Sequence, residues 1–278
     1  MTGSHEVAGS SPAGSMNAFI CVTCGTQFSP SDEPPDACPI CLDERQYVGH
    51  DGQRWTTMAE LAADHRSRIE ELEPGLLGIG TEPSFAIGQR ALLVGGLLWD
   101  CITLLDDETV TAVEMAGGID TIAISHPHYY SAMVEWAERF DASILLHEGD
   151  REWIMRPSER IELWSGERHR VSDELELVRL GGHFDGGAVC VWRAGAAGRG
   201  ALLSGDIVQV VPDRDWVSFM YSYPNLIPLP AREVARMRGI LETLEFERVY
   251  GAWWDRVISE DGRANVLRSA DRYVSALA

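Results

Sequence analysis

The chain has 278 residues, enough for one large domain with an appendage rather than a single small module. Its 43 acidic residues against 23 basic ones leave a formal charge of −20, which opposes binding to a phosphate backbone or an anionic lipid surface and points to a small-molecule partner instead. No apolar run approaches the roughly 20 residues that a membrane-spanning helix needs, and the longest, from Ala91 to Trp99, is broken by Gly95 and Gly96.

Residues 1–16 read as a disordered tail or expression scar, because Met1 to Ser15 is rich in Gly, Ser and Ala and has neither a basic start nor an apolar core. Met16 is the expected native start. A module over 17–50 follows, marked by Cys21-Val22-Thr23-Cys24-Gly25 and Cys38-Pro39-Ile40-Cys41. Paired C-x₂-C knuckles offer four thiolates to a tetrahedral ion, and so short a segment cannot build a core without such a staple. Metal binding is therefore expected over two disulfides, with Cys101 and Cys190 as core residues, a usage that suits a reducing cytoplasm. The knuckles resemble those of zinc ribbons and rubredoxins, and the short loop between them favours structural zinc over redox iron. A closed four-thiolate site leaves no position for a substrate.

Residues 51–75 read as a helical linker. Thr56 or Thr57 can cap a helix over Trp55 to Leu72, Glu60 suits a capping box, and Leu61, Ala62, His65, Ile69 and Leu72 recur near helical spacing before Glu73-Pro74-Gly75 ends it. His50, His65 and His169 read as surface or packing residues. From Phe85 the pattern turns to strands, with Ala91–Val94 and Leu97–Trp99 paired about Gly95-Gly96. Asp100 ends the second, either capping the next turn or orienting a ligand imidazole. After a helix over Asp107 to Ala116, the short apolar run Ile122-Ala123-Ile124 reads as a buried strand, stopped by Ser125-His126-Pro127-His128 because Pro127 lacks an N–H. His126 and His128 then lie on a strand-end loop, where both imidazoles can reach one ion.

A helix over Tyr130 to Phe140 comes next, and Tyr129 or Tyr130 could donate a hydrogen bond to an oxyanion beside a metal. Ile144–His147 is a strand whose final His is a candidate to support the site from outside. Leu175–Leu180 alternates as a half-buried strand and ends at Gly181-Gly182-His183. Two more strands, Val189–Trp192 and Ala201–Leu203, turn over Gly195–Gly200, and Ser204-Gly205-Asp206 places a carboxylate at the end of the second. The stretch from Trp216 to Pro230 is too apolar to wave in water; it packs over the cysteine module or walls a substrate pocket, with Tyr221, Tyr223, Trp253 and Trp254 as pocket candidates. Helices over 231–244 and 265–277 flank a short strand at 248–252.

In their order, His126-x-His128, Gly182-His183 and Ser204-Gly205-Asp206, preceded by Leu98-Trp99-Asp100-Cys101, resemble the metallo-β-lactamase superfamily over roughly residues 76–278. The resemblance implies an α/β fold, an αββα sandwich, whose strand-end loops hold one or two metal ions. It departs from that pattern where His-x-His-x-Asp-His would continue, for Tyr130 and Ser131 stand in the last two places, and where a late His would follow a strand, for Trp253 and Trp254 stand there. What remains is His126, His128, His183 and Asp206, a set for one ion with an open position.

The expected function is that of a metal-dependent hydrolase: a Zn²⁺ on those four residues activates water against an ester, thioester, lactone or amide, with Asp206 or Tyr130 assisting proton transfer. Fe²⁺ is the alternative ion, since two His and a carboxylate also suit a mononuclear iron oxygenase of the persulfide dioxygenase type. A non-catalytic metal-binding scaffold is the third reading, and homodimerisation is left open.

Overall fold

A computed structural model of the chain describes residues 16–278, and the tail expected at the N-terminus lies outside the described residues apart from Met16. The cysteine module contains β1 (Ile20–Cys21) and a single helical turn, α1 (Pro39–Leu42), started by Pro39. Its strand pairs with β2 (Trp55–Thr56), Cys21 lying opposite Trp55, so the module closes only five residues beyond the expected boundary at 50.

The linker is not one long helix. Thr57 does cap α2 (Met58–Asp64), and its capping box with Glu60 is complete, the Thr57 N–H donating to Glu60 Oε2 at 2.9 Å. His65 is already extended, however, and β3 (Arg66–Glu73) follows, paired antiparallel with β4 (Leu76–Glu82). Pro74-Gly75 is a hairpin turn, with Gly75 at φ 84°, rather than a helix stop. Ile69 and Leu72 only continued the helical spacing by coincidence. In β3 it is the alternation Ser67, Ile69 that matters: Ser67 Oγ donates to Asp106 Oδ1 at 2.7 Å, tying the strand to the helix above it. The first sheet thus takes in Arg66–Glu73, ahead of residue 76.

Two sheets form the middle of the molecule. The first, in the order β3-β4-β5-β6-β7-β8-β9, contains β5 (Ala91–Val94), β6 (Leu97–Trp99), β7 (Thr121–Ala123), β8 (Ser143–His147) and β9 (Ile161–Trp164). Between β6 and β7 lies α3 (Asp107–Met115), and between β7 and β8 lies α4 (Met133–Phe140). These crossovers make β6 through β9 parallel, whereas β3 to β6 run as antiparallel hairpins. The second sheet begins with β10 (Arg168–Arg170), β11 (Leu175–Arg179) and β12 (Ala188–Trp192). A left-handed turn, α5 (Gly195–Gly198), then leads to β13 (Ala201–Gly205). Short ladders β14 (Gln209–Val210) with β15 (Val217–Ser218) and β16 (Met220–Ser222) with β17 (Ile227–Pro228) fill the aromatic stretch. After α6 (Ala231–Leu241), β18 (Arg248–Gly251) joins β13 in parallel, β19 (Val257–Ile258) closes the sheet, and α7 (Gly262–Ala276) ends the chain.

Strands buried on both faces explain the continuous apolar runs in the sequence. Leu92, Val94, Ala123, Leu145, Cys190 and Leu203 meet between the sheets. Ala91, Leu93, Ile122 and Ile144 face the other way, against Val113 of α3 and Met133, Trp136 and Ala137 of α4. Across the molecule Val189, Val191 and Leu202 pack on Val234 and Met237 of α6 and Val266 of α7. The result is the four-layer αββα sandwich. Its parallel pairs β6/β7 and β13/β18 put the chain ends after Trp99, Ala123, Gly205 and Gly251 at one edge, and that edge carries the histidines.

Candidate functional site

After β7, His126 stays extended (φ −171°) and Pro127 opens one 3-10 turn over Pro127–Tyr129, which swings His128 back beside His126. His183 arrives from the β11–β12 connection through Gly181 (φ 63°) and Gly182 (φ 85°). A Cβ on Gly182 would lie 2.9 Å from Leu229 Cδ1, so the turn tolerates no side chain there. The three imidazoles are buried, offer nitrogens within 4.8 Å of one another, and place their ring centroids 5.0–5.1 Å apart.

Their unsatisfied atoms are the informative feature. His183 Nδ1 donates to the Tyr221 carbonyl at 2.7 Å, leaving Nε2 as an acceptor 3.2 Å from His128 Nδ1. His126 Nδ1 lies 2.9 Å from Ser125 Oγ, and its Nε2 lies 3.3 Å from Asp206 Oδ1. Both His126 Nε2 and Asp206 Oδ1 are buried without a hydrogen-bond partner. Burial, reinforced by the neighbouring imidazoles and Arg45, pushes His126 and His128 well below the ordinary histidine range, and burial brings His183 down to about 4. Burial thus favours the neutral ring, the form that ligates metals. With Ser125 Oγ accepting from His126 Nδ1, the Nε2 lone pair would face the Asp206 oxygen, and a cation between the two relieves that repulsion. Ligands about 2.05 Å from a tetrahedral ion are about 3.4 Å apart, and the 3.2 Å between His183 Nε2 and His128 Nδ1 fits that spacing.

Asp206 stands at the end of β13, on the His126 side and outside the tight triangle of imidazoles. Burial raises its carboxyl to about 7, opposed by the Tyr129 phenol beside it. Asp100 is one step further from the centre than an imidazole-orienting residue would be. It sits in left-handed backbone (φ 59°) and accepts the Ser125 N–H at 2.8 Å, and Ser125 in turn holds His126. Burial lifts Asp100 to about 7, with the Ser125 hydrogen bonds pulling against it. His147 is farther still: its Nδ1 accepts from Gly149 N and its Nε2 pairs with the Gly166 carbonyl, so it fixes a loop.

Three sequence expectations are corrected. Tyr130 does not occupy the place of a lost ligand: its hydroxyl points to the Asp150 carbonyl at 3.4 Å and its ring borders a small void with Thr26 and Gln27. The 3-10 turn presents Tyr129 instead, whose ring centroid is 4.4 Å from that of His126. Trp254 is not a pocket wall, because its indole lies on β4, where a Cβ on Gly80 would come within 2.8 Å of it, and beneath the guanidinium of Arg68 at 4.2 Å. Tyr221 gives its carbonyl to His183 but turns its hydroxyl outward to Glu44 at 2.7 Å. Tyr223 and Trp253 do line the cavity, Tyr223 donating to the Asp206 carbonyl at 2.6 Å and Trp253 to the Ile87 carbonyl at 3.2 Å.

The cavity above the histidines holds about 300 Å³, and part of its wall comes from the cysteine module: Thr23, between the first two cysteines, with Gln46 and Tyr47 after the last. Sequence reasoning missed these, and it missed Arg45. That guanidinium grips Asp43 through Nε at 2.6 Å and Nη2 at 3.0 Å, donates to the His183 carbonyl at 3.3 Å, and lies 3.9 Å over the Phe184 ring. The aromatic stretch therefore does both things considered for it, walling the cavity and gripping the module, since Asn225 Nδ2 donates to the carbonyls of Glu44 and Gln46. No local signal joins a zinc-knuckle flank to a distant histidine.

In the module itself Cys21 and Cys41 bring their sulfurs to 3.5 Å and Cys24 and Cys38 to 3.6 Å, close to the about 3.8 Å edge of a tetrahedral zinc thiolate site. Four such sulfurs cannot all ionise without a cation. Hydrogen bonding among them pulls Cys21 far down and pushes Cys24 and Cys41 up. Gln53 Nε2 donates to Cys21 Sγ at 3.1 Å, a contact that favours a thiolate.

No family model matches the chain. Solved structures share its fold: VMB-1 superposes with a TM-score of 0.56 at 13% identity, over 77% of this chain and 99% of that one. The mono-zinc form of the metallo-β-lactamase FIM-1 from Pseudomonas aeruginosa gives 0.52 at 13% identity, over 75% and 96%. A B3 metallo-β-lactamase with an active-site glutamic acid gives 0.50 at 16% identity, over 75% and 88%. In sequence, the chain is 50% identical over 268 residues to the uncharacterized protein YmaE of Bacillus subtilis (strain 168), covering 94% of this chain and 97% of that protein. The chain belongs to the family of YmaE, and that family is built on the metallo-β-lactamase fold.

Proposed function

We propose that this protein is a hydrolase dependent on one zinc ion held by His126, His128 and His183, with Asp206 beside them. One observation carries the reading: three buried imidazoles offer nitrogens within 4.8 Å of one another, and His126 Nε2 and Asp206 Oδ1, both buried without a hydrogen-bond partner, face each other 3.3 Å apart beside a cavity wide enough for a small molecule. A bound zinc ion supplies a Lewis acid and makes water nucleophilic near neutral pH. Asp206 is the residue placed to take the proton of the attacking water and return it to the leaving group, and the Tyr223 hydroxyl on its carbonyl fixes its backbone. Tyr129 keeps water from the far side of that carboxylate, being fully buried against it.

A single ion is supported by the surroundings. Tyr130 and Ser131 turn away from the centre, the Ser131 hydroxyl donating to the Cys101 carbonyl at 3.2 Å, and Trp253 offers no ligand. The four-cysteine cluster holds a second, structural zinc ion in this reading. The bond cleaved belongs to an ester, thioester, lactone or amide of a small substrate, and the setting is cytoplasmic. Among the described residues no helix is long and apolar enough to cross a membrane. The test is hydrolysis of a panel of those acyl classes by protein of measured metal content. Turnover that vanishes in His183→Ala supports the reading, and undiminished turnover by metal-free protein overturns it.

A further inference from the structure

Resting on the reading that the cavity over the histidines receives the substrate, we infer that this substrate is uncharged and that the cysteine module selects it through the Gln46 carboxamide. The chain contains no lysine, so arginine is its only strong cation. Among the described residues no arginine lines the cavity. Arg45, next to Gln46 in the chain, has its fork filled by Asp43 and the His183 carbonyl and its face on Phe184. The protein as a whole carries −20. A carboxylate or phosphate at the end of this space away from the histidines and their ion would lose its water without gaining a counter-charge from the wall, which disfavours it there.

What the wall does present is a neutral donor and acceptor. Gln46 is 6% exposed, and its carboxamide has no hydrogen-bond partner among the described residues. Its backbone is fixed at both ends, the N–H donating to the Asp43 carbonyl at 3.0 Å and the carbonyl accepting from Asn225 Nδ2 at 3.1 Å. Gln46 is thereby set on a fixed stretch of backbone in the cavity wall. A carboxamide in a cavity wall pairs with a group offering the complementary acceptor and donor, such as a carboxamide, a lactam or a urea, and loses its water without replacement to an apolar one. Trp253, tied to the Ile87 carbonyl, gives the flat apolar surface against which the rest of such a molecule would lie.

The test uses paired thiols that anchor on the metal and differ only at the far end: ω-mercaptoamides of about four to six carbons and the matching ω-mercaptocarboxylates. Affinities are measured by calorimetry on the full chain after its metal content is determined, so the readout needs no turnover and survives failure of the hydrolase assignment. The expected result is an amide bound about tenfold or more tightly than its carboxylate partner, a preference lost in Gln46→Leu and reversed in Gln46→Arg. Metal content equal to that of the wild type in both variants shows that the site is intact. Equal or tighter binding of the carboxylates by the wild type, an unchanged preference in Gln46→Leu, or no binding of either thiol to metal-loaded protein would overturn the inference.

Discussion

The Arg45 guanidinium, on the cysteine module, donates to the backbone carbonyl of His183 while covering the ring of Phe184. One bond thus ties the thiolate cluster to an imidazole of the other centre. Replacing it by methionine keeps the apolar cover and removes the donor. Arg45→Met is expected to weaken the ion held by the histidines by about tenfold, the lower range for residues that orient ligands, while the ion on the cysteines stays bound. Competition with a graded series of chelators reads both; an unchanged affinity would show that the hydrogen bond does not position His183.

The two adjacent indoles make a sharp comparison. Trp253→Ala opens the cavity wall and is expected to raise KM as well as to lower the melting temperature, because the ring also packs on the core beneath it. Trp254→Ala strips a packed ring from Gly78 and Gly80 and should cost about 3 kcal/mol of stability, in line with large-to-small substitutions, with KM unchanged. Steady-state kinetics separates them, and a raised KM in Trp254→Ala with an unchanged one in Trp253→Ala would contradict the placement of both rings.

Asp150 offers a pH test away from the metal ligands. Burial raises its carboxyl to about 7, outweighing the Gly186 N–H that it accepts at 2.8 Å. The folded protein therefore holds this proton more tightly than the unfolded chain, whose Asp titrates near ~3.9. Stability contributed by the protonated form is complete below about pH 4 and is lost as pH rises toward about 7. Asp150→Asn keeps the acceptor and removes the titration. It should unfold like the wild type at about pH 4 and be more stable at about pH 8, by on the order of 2–4 kcal/mol. Parallel curves across that range would mean that Asp150 is ionised in the folded protein at little cost.

What could be read from the sequence was local. The Cys-x₂-Cys pairs, His126-x-His128 and the strand-end positions of His183 and Asp206 each depend on a few neighbouring residues, and the structure gathers the histidines into one cluster and the cysteines into another. Orientation was not legible. Whether Tyr129 or Tyr130 faces the centre turns on the 3-10 twist after Pro127, and Trp254 lies outward because Gly78 and Gly80 leave room for it. The strand at Arg66–Glu73 was hidden because Ile69 and Leu72 prolong the spacing of the preceding helix, while its true signal, pairing with Leu76–Glu82, is a tertiary one. Thr23, Arg45 and Gln46 reach the cavity region only because the module docks beside it.

The cysteine cluster and the histidine cluster should fill independently. Cys38→Ser is expected to lose the structural ion and to lower the melting temperature, because Cys21, Cys24, Cys38 and Cys41 are most of the buried core of the module. Proteolysis should then begin within the module. If Cys38→Ser melts and cleaves like the wild type, the cluster is not what holds that segment together.

The most direct measurement is a count of metal ions by elemental analysis of the full chain and of two variants, His126→Ala and Cys38→Ser. Two equivalents of zinc in the wild type and one in each variant, with hydrolysis abolished only where the histidine ion is lost, is the expected pattern. A wild-type protein carrying a single ion that disappears in Cys38→Ser and persists in His126→Ala would mean that His126, His128, His183 and Asp206 do not form a metal centre.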